Sequence, residues 1–210
     1  MQSPWRIRKP LIFLVLLGLM QTLAAPPSFC AENSQAVAVG VGLGRFAYEG
    51  VDDFRAAVPS LGLNKNMMSA LYSQAYLEWF PLGEFGFGAR QMGSSYAQAG
   101  PKYTRLVEVR STLLTAQWIP LGAEHYARLG LLAGAGRSEY TLSQDSDQTL
   151  ANVTAVGGAH LVGVYLDWGG ESFGARIGVN ALKTRLDKIN SNFVDGSGQG
   201  GYLDLRWAWP

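Results

Sequence analysis

Cysteine occurs once in this 210-residue chain, at Cys30, and histidine twice, at His125 and His160. A lone cysteine excludes a disulfide framework. Two separated histidines without a second thiol do not make a typical transition-metal site, so no metal and no cofactor is expected. Long apolar runs are missing too: the one continuous run, Leu11 to Leu19, is short of the roughly 20 residues that a membrane-crossing helix needs. Charge of one sign is also scarce. Against 17 Lys and Arg stand 16 Asp and Glu, a balance that leaves no electrostatic footprint for nucleic acid.

The short apolar run has a clear reading. Arg6, Arg8 and Lys9 precede it and the small residues Ala24, Ala25 and Ala31 follow, the order of a secretory signal peptide. Cleavage after Ala31 assigns 1–31 to the leader and 32–210 to the mature domain, and it removes Cys30; cleavage after Ala25 is the alternative. The bulky Phe29 before Cys30 argues against a lipid-modified N-terminus. Loss of the three leader cations leaves 14 basic against 16 acidic residues in the mature chain.

What the chain does have is two-residue alternation and abundant glycine. Hydrophobic residues make up 48% of the chain and 26 residues are glycine, yet the mean hydropathy is near zero, so apolar residues are dispersed. Val37, Val39, Val41 and Leu43 alternate with Ala38, Gly40, Gly42 and Gly44, which gives a strand with one bulky face and one very small face. Small inward residues let a narrow barrel close around larger side chains from other strands.

Three paired segments follow, at Met67 to Phe80 with Phe85 to Gln91, Tyr103 to Ile119 with His125 to Tyr140, and Thr149 to Trp168 with Phe173 to Asp187. Their short turns are Pro81 to Glu84, Pro120 to Glu124 and Gly169 to Glu171. WFPLGE and QWIPLGAE are nearly one turn used twice. Trp79, Phe85, Trp118, Trp168 and Phe173 flank these turns as an aromatic girdle at a membrane boundary would. Longer polar segments, Tyr48 to Asn66, Gly93 to Lys102, Ser143 to Gln148 and Lys188 to Gln199, are expected as loops at the other end. Alternation slips once: Glu108, Arg110 and Thr112 share a face with Leu114 and Trp118. Either a bulge shifts the phase there, or that part of the strand stands clear of lipid.

The chain closes on Gly200 to Pro210, GGYLDLRWAWP, in which Leu203, Leu205, Trp207 and Trp209 share one face and Tyr202, Asp204, Arg206 and Ala208 the other. A C-terminal strand of this kind resembles the assembly signal of Gram-negative outer-membrane β-barrels, although Pro210 follows the last aromatic residue. Eight strands with alternating short turns and longer loops resemble the small OmpA/OmpX-like class. The resemblance covers the mature chain and implies an all-β, eight-stranded, antiparallel, up-and-down transmembrane barrel in the outer membrane of a Gram-negative bacterium. It further implies contact with outer-membrane lipid and lipopolysaccharide, dependence on the barrel-assembly machinery during insertion, and a surface ligand taken through the outer loops.

With the apolar face outward, the inward set includes Glu78, Arg90, Arg128, Asp167, Arg176, Asp204 and Arg206, together with Tyr72, Tyr76 and Asn180. Charges in so narrow an interior need partners. The three carboxylates are expected to be matched by the four arginines, because Arg binds carboxylates bidentately and holds its charge. Acyl hydrolysis would need a serine activated by histidine. His160 is followed by Leu161 and Val162 and has no His-x-Ser pairing, so an enzyme is not expected. Alternation points His160 outward near mid-strand; because a lipid-facing histidine would be odd there, a phase shift that turns it inward is the alternative. The expected role is structural or surface-interacting, in envelope integrity or adhesion. The rivals are a narrow channel for small or hydrophobic solutes, as in OmpW-like barrels, a lipid A-modifying enzyme, and a soluble lipocalin-like barrel.

Overall fold

The computed structural model describes residues 36–49, 70–100, 103–121, 127–146, 149–170, 172–186 and 195–209. The expected leader with Cys30, most of the segment from Tyr48 to Asn66, and His125 lie outside them. Eight strands run in chain order: β1 Ala36–Tyr48, β2 Ala70–Phe80, β3 Phe85–Gly100, β4 Tyr103–Leu121, β5 Ala127–Ser146, β6 Thr149–Gly169, β7 Phe173–Leu186 and β8 Gly198–Trp209. Each pairs antiparallel with its sequence neighbours, and β8 pairs with β1 to close an all-antiparallel β-barrel. Closure pairs every strand on both sides round the ring; among the described residues the loop-end parts of β3, beyond Ser95, and of β6, before Gly157, are paired on one side alone.

The pairing is staggered. Followed round the ring, the register runs from Val37 through Trp79, Phe87, Ala116, Ala133, Val162, Ala181 and Gln199, and it returns to β1 at Ala47. A stagger of ten residues over eight strands corresponds to a tilt of about 40° and an interior just wide enough for side chains. The ring is also uneven in height. β3 to β6 have 16, 19, 20 and 21 residues, against 13, 11, 14 and 12 in β1, β2, β7 and β8.

Two expected loops are therefore strand. Pairing of β3 with β4 continues to Gly100 and Tyr103, and that of β5 with β6 to Ser146 and Thr149. The polar stretches from Gly93 and from Ser143 have the composition of loops because strands that rise beyond an apolar solvent no longer need an apolar face. The same reason explains the slip of alternation in β4. Its register with β3 is unbroken from Trp118 to Tyr103, and the only irregularity with β5 lies between Trp118 and Leu121. Glu108, Arg110 and Thr112 keep the outward phase of Leu114 and Trp118 with no bulge between them.

The expected turn at Pro81 to Glu84 is present, with Gly83 in the left-handed region at φ 64°, where a side chain would be strained. Inside the barrel, small residues of one strand receive large ones of the next. A Cβ on Gly40 would fall 2.2 Å from the Tyr76 ring, and one on Gly130 would fall 2.1 Å from that of Tyr165.

Candidate functional site: a charged interior between two belts

The barrel has a turn end, where Phe80 leads into Phe85, and a loop end, where the chain passes from β3 to β4 and from β5 to β6. Near the turn end the interior is ionic. Arg176 on β7 donates from its two terminal nitrogens to the two carboxylate oxygens of Glu78 on β2, at 2.8 and 2.9 Å. Arg90 on β3 donates to the same carboxylate at 3.1 Å. Asp167 on β6 is the second hub: Arg128, Arg206 and Arg176 lie 3.1, 3.1 and 3.4 Å from its oxygens. Arg176 thus ties the two carboxylates together. The Tyr76 ring meets two cations, Arg90 at 4.7 Å and Arg176 at 4.8 Å from its centre, and Arg176 also lies 4.0 Å over Tyr165.

Asp204 departs from the arginine pairing expected for it. Among the described residues its carboxylate has no ion pair; both oxygens accept from the Gln74 side-chain nitrogen at 2.7 Å. The Gln74 carbonyl in turn accepts from Arg90 at 2.8 Å and from the Tyr72 hydroxyl at 2.6 Å, and Asn180 donates to Tyr72 at 3.0 Å. An amide relays between acid and arginine because it offers donors on one side and an acceptor on the other. Nothing in strand alternation distinguishes an inward Gln beside an acid from an inward Gln elsewhere.

Toward the loop end the interior turns apolar, which the ionic inward residues near the turns gave no reason to expect. Phe46, Met92, Val109, Leu113, Leu161 and Leu182 are buried there with Tyr48, Tyr72 and Tyr140. The packing is close: the void bounded by Phe46, Tyr72, Met92, Val109, Ser111 and Leu182 holds about 10 Å³, at the limit for a single water molecule. Above it, the Tyr48 and Ser94 hydroxyls are hydrogen-bonded to each other. Residues 195–197 fold inward, with Gly196 donating to the Thr184 hydroxyl at 2.9 Å and the Thr184 amide donating to the Ser197 hydroxyl at 3.1 Å. Ser197 falls within a segment expected as an outer loop, yet it is buried.

Outside, the chemistry is inverted. Val41, Leu43, Leu77, Phe87, Leu114, Val162, Ile177, Val179, Leu203 and Leu205 are exposed. At the turn end this surface finishes in Trp79, Phe85, Trp118, Trp168, Phe173, Trp207 and Trp209, all exposed. Phe85 stacks on Trp118 at 6.2 Å, and Phe173 meets Trp207 edge-on at 5.5 Å.

At the other limit stands a second belt that strand-by-strand alternation does not reveal. With strands about 4.8 Å apart and tilted about 40°, one step along the register rises about 3 Å and two residues along a strand about 5 Å. On that geometry the outward, exposed Arg45, Arg110, Arg137, His160, Lys183 and Gln199 stand within about 5 Å of one height, one on each of six strands. Eight residues separate Arg110 from Trp118 and His160 from Trp168, and ten separate Lys183 from Phe173. These spacings give about 20–25 Å between the belts, close to the roughly 25 Å apolar band of outer-membrane barrels. His160 is therefore outward and at a boundary. It pairs across the strands with Ala135 and Lys183 and has no part in the interior network. No group of three or more metal-ligating side chains occurs among the described residues.

No protein-family model matches the chain, and no curated protein matches it in sequence. Solved structures do match in fold. Ail, the attachment invasion locus protein of Yersinia pestis, aligns with a TM-score of 0.54 at 10% identity over 85% of this chain and 99% of its own. Neisserial surface protein A aligns with a TM-score of 0.51 at 12% identity over 82% and 96%. A major outer membrane protein from Thermus thermophilus aligns with a TM-score of 0.55 at 10% identity over 84% and 100%. The chain has the fold of the small outer-membrane barrels, the OmpA/OmpX-like architecture.

Proposed function

We propose that this protein is a non-enzymatic outer-membrane barrel of a Gram-negative bacterium. On this reading residues 1–31 are its removed leader, its turn end faces the periplasm, and its loop end acts in surface interaction or envelope integrity. One observation carries the reading: the described interior is filled by side chains. Arg176, Glu78, Arg90 and Asp167 brace the periplasmic half, and an apolar core with a void of about 10 Å³ fills the outer half, so the described interior offers no conduit. A filled barrel serves as a scaffold, and the part free to recognise anything is what it lifts above the membrane. β3 to β6, the tall side, provide that platform. The fold resemblance to Ail, which has been crystallised with the heparin analogue sucrose octasulfate, supports a surface ligand taken from outside. Insertion would use the barrel-assembly machinery, through the strand from Gly200 to Trp209.

Purified mature protein in planar bilayers tests the scaffold against the channel. No steady conductance is expected, and large stable openings would make the barrel a pore. Heated and unheated samples should differ in gel mobility; identical mobility would remove the folded barrel itself.

A further inference from the structure

The two sides of the apolar band differ in chemistry. On β6, β7, β8 and β1 its exposed residues are bulky, among them Val162, Val179, Leu203 and Leu43. On β2 to β5 the corresponding places hold Ala75, Ala89, Ala116 and Ala133, all outward and exposed. The same side carries Ser73, Gln91 and Thr112, the three polar side chains that face outward between the belts among the described residues. They adjoin: Gln91 pairs with Thr112, and Ser73 pairs with Gly93, two residues along β3 from Gln91. Ser73 is satisfied locally, donating to the Gly93 carbonyl at 3.4 Å. The Gln91 carboxamide has no hydrogen-bond partner among the described residues. It stands about 15 Å above Phe85 and about 8 Å below the level of Arg110, so hydrocarbon surrounds a group that needs both a donor and an acceptor. Such groups in a membrane are costly unless another protein group meets them.

Because the strands tilt by about 40°, a line up the wall parallel to the barrel axis crosses from strand to strand. Through Gln91 that line passes Leu77 on β2, Ala89 on β3, Thr112 and Arg110 on β4, and Glu139 on β5. The line on the opposite side of the barrel passes Leu166, Val164, Val179 and Ala181, apolar throughout. Ala75 and Leu114 flank the Gln91 line on its two sides, within about 2 Å of one height. At the rim, Arg110 is exposed and held by Glu108 only at 3.5 Å, while Glu139, its register partner on β5, is exposed as well.

We propose that this wall docks a second copy of the chain, across a twofold axis that runs along the membrane normal beside Gln91. Two barrels inserted in the same direction form a self-complementary contact only about such an axis, and it keeps every residue at its own height. Gln91 therefore meets Gln91 of the second copy, and each carboxamide offers the other a donor and an acceptor. Leu114 of each copy falls opposite Ala75 of the other, bulky against small. Arg110 of each falls opposite Glu139 of the other, so the two cations near the axis alternate with two carboxylates. The alanines let the walls approach closely, which is how membrane-embedded surfaces associate where no hydrophobic force drives them together. A lipid tail in the same place would leave the Gln91 amide unmet. Such a dimer presupposes the outer-membrane barrel proposed above, since only a bilayer keeps water from Gln91.

Oxidative cross-linking in the membranes of cells that make the full chain tests the interface, with Cys30→Ser as the background. Ala89→Cys, beside the axis, is expected to form a covalent dimer roughly tenfold faster than Val179→Cys on the opposite wall, because a held pair reacts at a high effective concentration. Gln91→Leu removes the amide that needs a partner, and Ala75→Trp fills the space that Leu114 of the second copy takes. Each should lower the Ala89→Cys rate to that of Val179→Cys. Equal rates for the two cysteines, or an Ala89→Cys rate untouched by both Gln91→Leu and Ala75→Trp, would overturn the interface. A cross-linked product whose mass is not twice that of the chain would assign the wall to a different protein and overturn the second copy. Heat-dependent gel mobility is measured on every sample. Its absence from the Cys30→Ser background fails the barrel itself, whereas its presence with equal cross-linking rates fails the dimer alone. Gln91→Leu and Ala75→Trp stand in for each other if one does not fold, and Leu77→Cys, on the same line, stands in for Ala89→Cys.

Discussion

Arg176 and Glu78 meet across the lumen from β7 and β2, two guanidinium nitrogens facing two carboxylate oxygens at 2.8 and 2.9 Å. These strands are not neighbours in the ring, so the pair is a strut between opposite parts of the wall. Both side chains are fully buried. Its strength lies in being complete, because the cost of burying either ion is offset only while the other remains.

Removing Glu78 therefore leaves Arg90 without a carboxylate among the described residues and Arg176 with only the longer contact to Asp167, at 3.4 Å. Glu78→Ala should lower unfolding stability by about 3–5 kcal/mol, read from denaturant titration of the barrel in vesicles. Asp204→Asn should cost about 1 kcal/mol, because Gln74 still finds an acceptor there. Equal losses would mean that Glu78 is no more central to the network than Asp204.

The belts predict a depth series on the outer face. Leu203 lies near the middle of the apolar band and Leu71 at the height of the basic belt. Leu203→Arg should destabilise the inserted barrel by about 2–4 kcal/mol and Leu71→Arg by no more than about 1 kcal/mol. A flat profile between them would place the membrane elsewhere on the barrel. Replacement of Ser197 should not be neutral either, since its buried hydroxyl and amide hold the inward turn against Thr184 and Asp195.

Glycine replacements should separate by neighbourhood. Gly130→Ala drives a methyl group into the Tyr165 ring and should cost about 1–3 kcal/mol as overpacking. Gly158→Ala points into open space and should be close to neutral in the same unfolding measurement.

The outward, rim-level place of His160 also bears on the enzymatic alternative. Lipid A from cells carrying the wild type, His160→Ala or no copy of the gene should show one acylation pattern by mass spectrometry. A change that requires His160 would make the barrel an enzyme.

Much of this architecture is legible in the chain because a barrel wall is a two-residue code: Leu203, Leu205, Trp207 and Trp209 declare one face, and Asp204 and Arg206 the other. The eight strands and the turn at Gly83 follow from that code, and so does the outward phase of His160, but alternation leaves open a shift that would turn it inward and places it near mid-strand rather than at the rim. Strand ends at the loop side do not, because beyond the apolar band both faces of β3 and β5 are free to be polar and composition no longer separates strand from loop. The relay from Gln74 to Asp204 and the belt from Arg45 round to Gln199 are also absent from any single strand. They arise from the stagger between strands, which brings together residues far apart in sequence. The apolar outer half of the lumen escaped for a related reason: Val107, Val109 and Leu113 face inward on the strand whose outward residues are the charged ones.

That stagger has a further consequence for assembly. In an open sheet each seam can take its register independently, but a ring that must return from Val37 to Ala47 links all eight. A slip of two residues at one seam has to be returned at another, or the last strand meets the first out of step. The unpaired amides and carbonyls would then face hydrocarbon, at several kcal/mol for each unsatisfied group. Closure thus works as a checksum on the fold, complete only when all eight seams are in register. The irregularity between Trp118 and Leu121 sits at the very end of its seam, where it leaves the total unchanged.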